Sequence, residues 1–196
     1  MSLLRFVYFV PHRRGVQSPH RCGVSRADFA LALRAALRQA PKVILVGELR
    51  DHETMEMVLE AAETGHLVLS SLNAPNATKT LERIVSSFPP LEQSSLRGRL
   101  AKTLRYVISQ QLIPRKGGGR VAVLEVFKNT PRTAHYLDCE DPAGANLLDA
   151  IKNSTSDGMR SFDQEIEKLV RADVVDKEVG LSYATDPQQL QRALSQ

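Results

Sequence analysis

The sequence predicts an α/β fold, because short apolar strands alternate with amphipathic helices along its middle. Two continuous apolar runs, Val43–Val46 and residues 67–72, have the composition of strands that are buried on both faces of a parallel sheet. Residues 52–63 between them repeat apolar side chains at helical spacing. A strand, a helix and a second strand in this order form a right-handed crossover, so we expect a parallel pair.

Length and composition restrict the class of protein. The 196 residues, 42% hydrophobic and 24% charged, suit one domain or a domain with a small appendage. The apolar runs are shorter than the ~18 residues that cross a bilayer, and the first ten residues lack a signal-peptide cleavage site. We therefore expect neither membrane insertion nor a signal peptide. Cys22 and Cys139 are isolated, which argues against a disulfide scaffold or a cysteine zinc site and favours a reducing cytoplasm.

The net charge of +4 is unevenly distributed. Residues 1–38 hold seven Lys and Arg against one Asp, and residues 138–196 hold six against twelve acidic residues. A basic front can indicate nucleic-acid binding, which would depend steeply on salt. Aromatic residues do not alternate with the basic ones, as single-strand stacking requires. We favour charge complementarity between subunits, or a solvated face, and expect no nucleic acid as partner.

The N-terminal part is predicted to contain one strand and one helix. The apolar run 3–10 is strand-like and leads into loop residues, as if a chain had been cut within a sheet. Ser25 or Asp28 can cap a helix that Pro41 ends. Its apolar stripe comprises Phe29, Leu33, Ala36 and Leu37.

The elements that follow have recognisable start and stop signals. Asp51 is expected to cap the helix between the strands, and Gly65 to end it. Its buried stripe is predicted to comprise Met55, Val58, Leu59 and Ala62, and its acidic outer face Glu53, Glu56, Glu60 and Glu63. Asn76 is expected to cap the next helix, which Pro89 and Pro90 close.

The second half is predicted to be a long helix, a hairpin and a helical end. The long helix is expected to align Leu96, Leu100, Leu104, Val107 and Ile108. Residues 113–115 and 121–127 are predicted to form a β-hairpin around a turn at residues 117–119. The residues after Asn129 are predicted to be helical and acidic.

The strongest chemical signal is the run Gly-Glu-Leu-Arg-Asp after the first buried strand. Functional groups of open α/β sheets collect beyond the carboxyl ends of strands. Glu48 occupies that position, where a carboxylate can hold a Mg²⁺-bound water or orient an attacking one. Gly47 would let the backbone turn sharply and approach a ligand. The alternative is a surface glutamate after a core strand.

A second signal is the segment around the next strand. His66 enters the strand beside the one that ends at Glu48, and it could contact a phosphate. A lone histidine is more often a structural hydrogen-bonding group. Asn73 lies just past the other end of the same strand, where it can donate a hydrogen bond but carries no charge.

Other motifs point away from metal and nucleophile chemistry. His52 and Glu56 lie one helical turn apart, but two ligands are too few for a metal site, and we interpret them as surface residues. Residues 117–119 precede a strand and not a helix, which indicates a hairpin turn and not a phosphate loop. The 196 residues contain no GxxxxGK[ST] motif. We find no supported Ser-His-Asp triad.

Several segments resemble the PilT branch of the secretion-ATPase superfamily, the retraction motors of type IV pili in twitching motility. The resemblance covers about residues 25–196, and its motifs occur in the same order. These motifs are ALRAALR (32–38), VILVGELRD (43–51), AAETGHLVLSSL (61–72), ATKTLERIV (77–85), VISQ (107–110), GGGRVAVLEV (117–126) and LSYATDPQQL (181–190).

The resemblance implies a partial RecA-like (P-loop NTPase-type) domain with a helical C-terminal extension. Residues 1–24 would be a divergent N-terminal remnant, residues 25–128 the ATPase core with its Walker B and His-box parts, and residues 129–196 a helical C-terminal subdomain. It also implies ATP and Mg²⁺ as ligands, bound between the subunits of a hexameric motor ring. Such a ring works in the cytoplasm, peripherally at the inner membrane, with the pilus inner-membrane platform as partner.

The resemblance also implies roles for single residues. Glu48 matches the Walker B glutamate and is the predicted catalytic residue. Gly47, Arg50 and His66 are predicted to bind nucleotide, and His66 matches the first histidine of the His box. Asn73 stands where the second histidine is expected. No residue is predicted to bind a metal directly.

Departures from the family pattern affect the expected activity. The phosphate-binding loop and the PAS-like N-terminal domain of the family have no counterpart here, and LRFVYFVP (4–11) replaces its acidic Asp box. Residues 40–42 replace its Asp-Pro-Asp, and residues 132–137 diverge from its helix motif. We expect a truncated subunit that does not hydrolyse ATP alone. The alternatives are a non-catalytic module that docks onto intact motor subunits, and a truncated reading frame whose product is not made.

Overall fold

The computed structural model describes residues 6–9, 35, 38, 41–138 and 145–195. The predictions for Cys22, Cys139 and the caps Ser25 and Asp28 lie outside the described residues. So does the predicted apolar stripe of the helix before Pro41, in which Ala35 and Arg38 are described as helical and exposed.

Within the described residues, five strands form one sheet in the order β2-β3-β1-β4-β5. Of these described strands, only β2 and β3 pair in parallel, whereas β1 pairs antiparallel with both β3 and β4, and β4 pairs antiparallel with β5. The predicted α/β fold and its parallel crossover are therefore confirmed, within a mixed sheet. The strands are β1 (Phe6–Phe9), β2 (Val43–Val46), β3 (Leu67–Ser70), β4 (Leu104–Pro114) and β5 (Arg120–Lys128).

Helices occupy the connections and the C-terminal end. They are α1 (His52–Glu63), α2 (Ala77–Ser86), α3 (Pro90–Thr103), α4 (Pro131–Asp138), α5 (Ala145–Asn153), α6 (Phe162–Arg171), α7 (Lys177–Tyr183) and α8 (Pro187–Ala193), with a 3-10 turn at Thr155–Asp157. In the two long stretches that the structure describes, none of these helices has the length and apolarity needed to cross a bilayer.

The predicted helix boundaries around the parallel pair are confirmed. The Asp51 side chain accepts the Thr54 N–H at 2.9 Å, and that of Asn76 accepts the Lys79 N–H at 2.9 Å, so both act as N-caps. Gly65 follows α1 with a φ of 97°, a left-handed conformation that glycine adopts without strain.

The predicted extension of the long helix through Val107 and Ile108 is wrong, because α3 ends at Thr103 and β4 begins at Leu104. The pairing of β1 with β4 shifts by one residue beside Leu104, which marks a bulge. The bulge turns Leu104 and Val107 to the same side, and both are buried. Their spacing of three therefore resembles a helical repeat.

The predicted burial of the first apolar strand on both faces is also wrong. Ile44 and Val46 of β2 are buried, but Val43 is 38% exposed and Leu45 is 72% exposed. β2 is an edge strand of the sheet, and α1 follows it with Met55, Val58 and Leu59 buried in the same core. Four apolar residues in a row do not distinguish an edge strand from a central one.

Two hydrophobic cores hold the described part of the chain together. The first joins the sheet to α1 and α2 and extends to Leu137 and Ile151 of the C-terminal helices. The second packs Ile113 and Val123, at the far end of the β4–β5 hairpin, against α6, α7 and α8. The predicted turn of this hairpin is confirmed, since Gly117, Gly118 and Gly119 all have positive φ.

Candidate functional site

The parallel pairing of β2 and β3 brings two loops together at the carboxyl ends of these strands. Both strands end at this side of the sheet, so the segments 47–50 and 71–76 leave it side by side. The Leu49 N–H donates to the Ser71 carbonyl oxygen at 2.8 Å, and the Ser71 hydroxyl donates to the Gly47 carbonyl oxygen at 2.6 Å. These two bonds fix one loop against the other. We call this region the Glu48 edge.

Glu48 presents its carboxylate at this edge with access to solvent. Its side chain is 36% exposed, and one oxygen accepts the Arg50 Nε–H at 2.7 Å. The Arg50 side chain is 77% exposed, so this ion pair is open to water and to ligands. Leu49 between them is buried in the first core and anchors the segment. A carboxylate and a guanidinium can here face the same ligand.

Gly47 does not need the freedom of a glycine to make its bend. Its φ is not positive, and a Cβ placed on it would meet no heavy atom within 4 Å. The sharp turn predicted for this residue is therefore not a left-handed one. The open space above its backbone leaves room for a ligand beside Glu48.

His66 lies at the opposite end of the parallel strands. It precedes the amino end of β3, whereas Glu48 follows the carboxyl end of the parallel strand β2. Its Nδ1 lies 3.1 Å from the Ala61 carbonyl oxygen and 3.2 Å from the Thr64 hydroxyl, contacts that hold the end of α1. The structure brings Gly47, Glu48 and Arg50 together and does not bring His66 to them. Its contact with nucleotide stays a prediction.

The loop after β3 contributes groups that sequence reasoning did not assign to the site. Ser71 ties this loop to Gly47, and the Arg83 guanidinium donates to the Asn73 carbonyl oxygen at 2.6 Å. A shallow cavity of about 360 Å³ opens beside Asn73, between this loop and the exposed face of α2. The signal that could have found this loop is its place after an apolar strand, the same rule that identified Glu48.

The Glu48 edge supplies only some of the oxygen ligands that Mg²⁺ needs. Among the described residues, no three His, Cys, Asp or Glu side chains group closely enough to hold a metal ion. Mg²⁺ usually takes one or two carboxylates from the protein and the remaining oxygens from phosphates and water. Glu48 can be one such carboxylate.

His52 and Glu56, both on α1, each have a charged partner on α3. His52 Nε2 lies 3.5 Å from the Glu92 carboxylate, and its ring packs edge-on against Phe88 with 4.4 Å between centroids. Both Glu56 oxygens accept hydrogen bonds from Arg99. These contacts link α1 to α3 and give both residues a structural role.

Comparison with known proteins gives the chain a family. The profile of the family described as "Type II/IV secretion system protein" matches residues 20–141. The type IV pilus retraction ATPase PilT of Pseudomonas aeruginosa is 42% identical over 160 residues, 82% of this chain and 46% of the relative. The type IV pilus ATPase PilU of the same organism is 37% identical over 178 residues, 90% of this chain and 46% of PilU.

Solved structures show the same likeness in three dimensions. The crystal structure of the pilus retraction motor PilT with bound ADP superimposes with a TM-score of 0.72 at 38% identity, over 84% of this chain and 46% of that one. The ATPase DotB of Legionella pneumophila gives 0.67 at 30% identity, over 78% of this chain and 41% of DotB.

These matches confirm the resemblance on which the sequence-based fold and family predictions rest. The chain spans about half the length of the curated relatives that it matches. Identity near 40% extends over most of the chain and is accompanied by a common fold. The chain belongs to the type II/IV secretion system protein family, and within it is similar to the PilT and PilU type IV pilus ATPases.

Proposed function

We propose that the chain is the ATPase part of a pilus retraction motor, which couples ATP hydrolysis to twitching motility. The observation that carries this proposal is the position of Glu48. An accessible carboxylate follows the carboxyl end of a parallel strand, in a chain that is 42% identical to a pilus retraction ATPase. This edge of an open α/β sheet is where such folds place their ligands.

In this proposal Glu48 is the catalytic residue and its neighbours bind nucleotide. Glu48 would orient the attacking water or the water shell of Mg²⁺ through its carboxylate. Bound Mg²⁺ would neutralise charge on the phosphates. Arg50, 2.7 Å from Glu48, orients that carboxylate and can turn its exposed guanidinium to a phosphate. Gly47 leaves the approach to Glu48 open.

The site needs groups from outside these 196 residues. Phosphoryl transfer depends on a cradle of backbone N–H groups, a lysine on the phosphates and a hydroxyl on Mg²⁺. The sequence has no GxxxxGK[ST] motif to supply them. We therefore propose that the chain alone hydrolyses ATP negligibly, and that its site is completed by residues brought to the Glu48 edge in an oligomeric ring.

The partners and location that we propose follow from the similar motors. A hexameric ring in the cytoplasm, seated peripherally on the pilus platform of the inner membrane, would transmit the work of hydrolysis. Within the chain, we propose a remnant (1–24), an ATPase core (25–128) and a helical subdomain (129–196). The second hydrophobic core packs α6–α8 on the hairpin of β4 and β5. This packing favours a helical subdomain that is coupled to the ATPase core.

A chimera tests this function in cells. Residues 41–195 would replace the matching segment of PilT in a P. aeruginosa strain that lacks PilT. We expect the chimera to restore twitching, Glu48→Gln to abolish it, and Glu60→Gln to leave it intact, because Glu60 is an exposed carboxylate on α1 far from the loops of the edge. A chimera that accumulates to the level of PilT without restoring motility would contradict the proposal.

ATP turnover by the purified 196-residue chain tests the proposed inactivity. We expect no turnover above that of the Glu48→Gln variant. Turnover that Glu48→Gln abolishes and Glu60→Gln preserves would contradict it, and would show that the chain carries a complete site.

A further inference from the structure

Glu125 is a buried carboxyl that reaches the start of α2 from a distant strand. It lies on β5, is 2% exposed, and accepts the Ala77 N–H at 2.7 Å, across 48 residues of sequence. Ala77 is the first residue of α2, where backbone N–H groups have no partner within the helix. The carboxyl thus satisfies an N–H group at the positive end of the helix dipole.

This contact fixes the far end of the loop at the Glu48 edge. At the near end, Ser71 is bonded to the backbone of Gly47 and Leu49 at 2.6 and 2.8 Å. At the far end, Asn76 caps α2 and the next residue, Ala77, is held by Glu125. The path of the loop beside Glu48 therefore depends on a group inside the core.

A second buried polar group faces Glu125. Ser109 lies directly opposite it in the β4–β5 ladder, so the two side chains share one face of the sheet. The Ser109 hydroxyl is fully buried and has no hydrogen-bond partner in the described part of the chain. A hydroxyl can accept from a protonated carboxyl or donate to an ionised one. Ser109 therefore offers a partner to either protonation state of Glu125, although the two side chains are not hydrogen-bonded in this structure.

The surroundings of Glu125 make its protonation state sensitive to pH near neutrality. Burial raises its pKa to about 7, the Ala77 N–H opposes this rise, and the charge of Asp163 adds to it. Asp163 approaches from α6, where its carboxylate accepts the N–H groups of Thr185 and Asp186 at 2.6 and 3.0 Å. The charged side chains of α2, Lys79, Glu82 and Arg83, are exposed.

We propose that Glu125 is a positioning residue. Its carboxyl holds the 71–76 loop against the Glu48 edge through the hydrogen bond from Ala77, and this hydrogen bond strengthens when the carboxyl loses its proton to solvent. An ionised carboxylate binds an N–H at a helix start more strongly than a neutral one, so losing the proton tightens the hold. The hold on Ala77 does not depend on nucleotide, whereas its effect on catalysis rests on the function proposed above.

Nuclear magnetic resonance on the full chain tests the hold directly. We expect the Ala77 amide proton shift to titrate with a midpoint near 7 in the unchanged chain. This titration should be lost in Glu125→Gln, which keeps an acceptor oxygen but has no proton to lose, and should persist in the control Glu82→Gln. An Ala77 shift that is independent of pH in the unchanged chain, or one that still titrates in Glu125→Gln, would overturn the proposal.

Amide exchange separates the hydrogen bond from general packing. In Glu125→Ala, which removes the acceptor, we expect Ala77 to exchange at least about tenfold faster, the loss expected for one charge-assisted bond. Glu125→Gln should restore most of the protection, and if Glu125→Ala does not fold, the loss of the Ala77 titration in Glu125→Gln decides the matter. Equal protection in Glu125→Ala and the unchanged chain would overturn the proposal.

The pH profile of the chimera described above connects this hold to the site. We expect kcat to rise between pH 6 and 8 with a group that is absent in Glu125→Gln, while KM for ATP changes less. A chimera without ATPase activity would count against the proposed function and leave the resonance test of Glu125 valid. An unchanged kcat profile in an active Glu125→Gln chimera would overturn the link to catalysis.

Discussion

Glu48 and His66 lie beyond opposite ends of two neighbouring parallel strands, β2 and β3. The strands pair from Val43 with Leu67 to Val46 with Ser70, so Glu48 lies beyond one end of the pair and His66 beyond the other. A strand rises ~3.3 Å per residue, so at least about 10 Å separates them. A phosphate beside Glu48 would therefore lie next to the loop of Ser71 and Asn73, and the predicted contact of His66 with nucleotide would have to be made at the other end of the strands.

Arg99 binds two glutamates at once, an arrangement that we call the Arg99 fork, and we expect it to contribute measurably to stability. Arg99 on α3 binds Glu56 and Glu63 on α1 at 2.8 and 2.6 Å, and its side chain is only 27% exposed. Arg99→Ala removes the cation that both carboxylates bind, so we expect a loss of about 1–2 kcal/mol. Arg99→Lys should recover little, because an ammonium cannot bind both carboxylates in this forked geometry.

Urea unfolding measures the effect of the Arg99 variants. Lys168→Ala is the control, since Lys168 is 69% exposed and lies 3.7 Å from Glu165, and its loss should cost less than about 0.5 kcal/mol. If Arg99→Ala costs no more than Lys168→Ala, the fork does not join α1 to α3 energetically.

The burial of Glu125 predicts an unusual dependence of stability on pH. Its pKa is raised in the folded chain from 4.5 to about 7, mainly by burial. Between these values the unfolded chain loses this proton while the folded chain keeps it. The contribution of Glu125 to stability is therefore complete below pH ~4.5, falls as pH rises, and is lost above pH ~7, with a total of up to about 3 kcal/mol.

Glu125→Gln cannot ionise and should escape this loss. Its stability relative to the unchanged chain should therefore rise by up to about 2.5 kcal/mol between pH 5 and pH 8, measured by urea unfolding at both values. Glu82→Gln, an exposed change on α2, should show no such rise. An equal difference at both pH values would mean that Glu125 titrates in its ordinary range.

Close packing around Gly180 predicts that a side chain at this position destabilises the fold. A Cβ on Gly180 of α7 would lie 2.8 Å from Val170 Cγ2 and 3.1 Å from Ile166 Cγ2, both on α6. Overpacking costs about 1–3 kcal/mol, and alanine regains about 1 kcal/mol as the better helix former. We expect Gly180→Ala to lose about 1 kcal/mol.

Thermal or urea unfolding measures this loss against a matched glycine. Gly47→Ala meets no heavy atom within 4 Å and should change stability by less than about 0.5 kcal/mol. A Gly180→Ala variant more stable than the unchanged chain would show that α6 and α7 separate without cost.

Interactions between residues that are close in sequence predict much of the central fold. Asp51 and Asn76 cap helices because their side chains reach backbone N–H groups three residues on, which depends only on neighbouring sequence. The glycine turn of the hairpin and the placement of Glu48 after β2 are predictable for the same reason. The motifs shared with pilus ATPases predicted the family, which the comparisons confirmed.

Features that depend on distant contacts could not be predicted. The bulge beside Leu104 arises from pairing with β1, so its helix-like spacing misled a local analysis. The exposure of Leu45 depends on what packs against its face of the sheet, which the residues of β2 do not encode. Likewise, nothing near Glu125 in sequence indicates that it binds Ala77.

ATP hydrolysis by the purified chimera tests the central claim most directly, because it reports on Glu48 in a completed site. We predict turnover in the chimera that Glu48→Gln lowers by about 10²-fold or more, the loss typical of one oriented catalytic group, while Glu60→Gln leaves it unchanged. A Glu48→Gln chimera that keeps its turnover within about twofold of the parent would contradict the assignment of Glu48 as the catalytic residue.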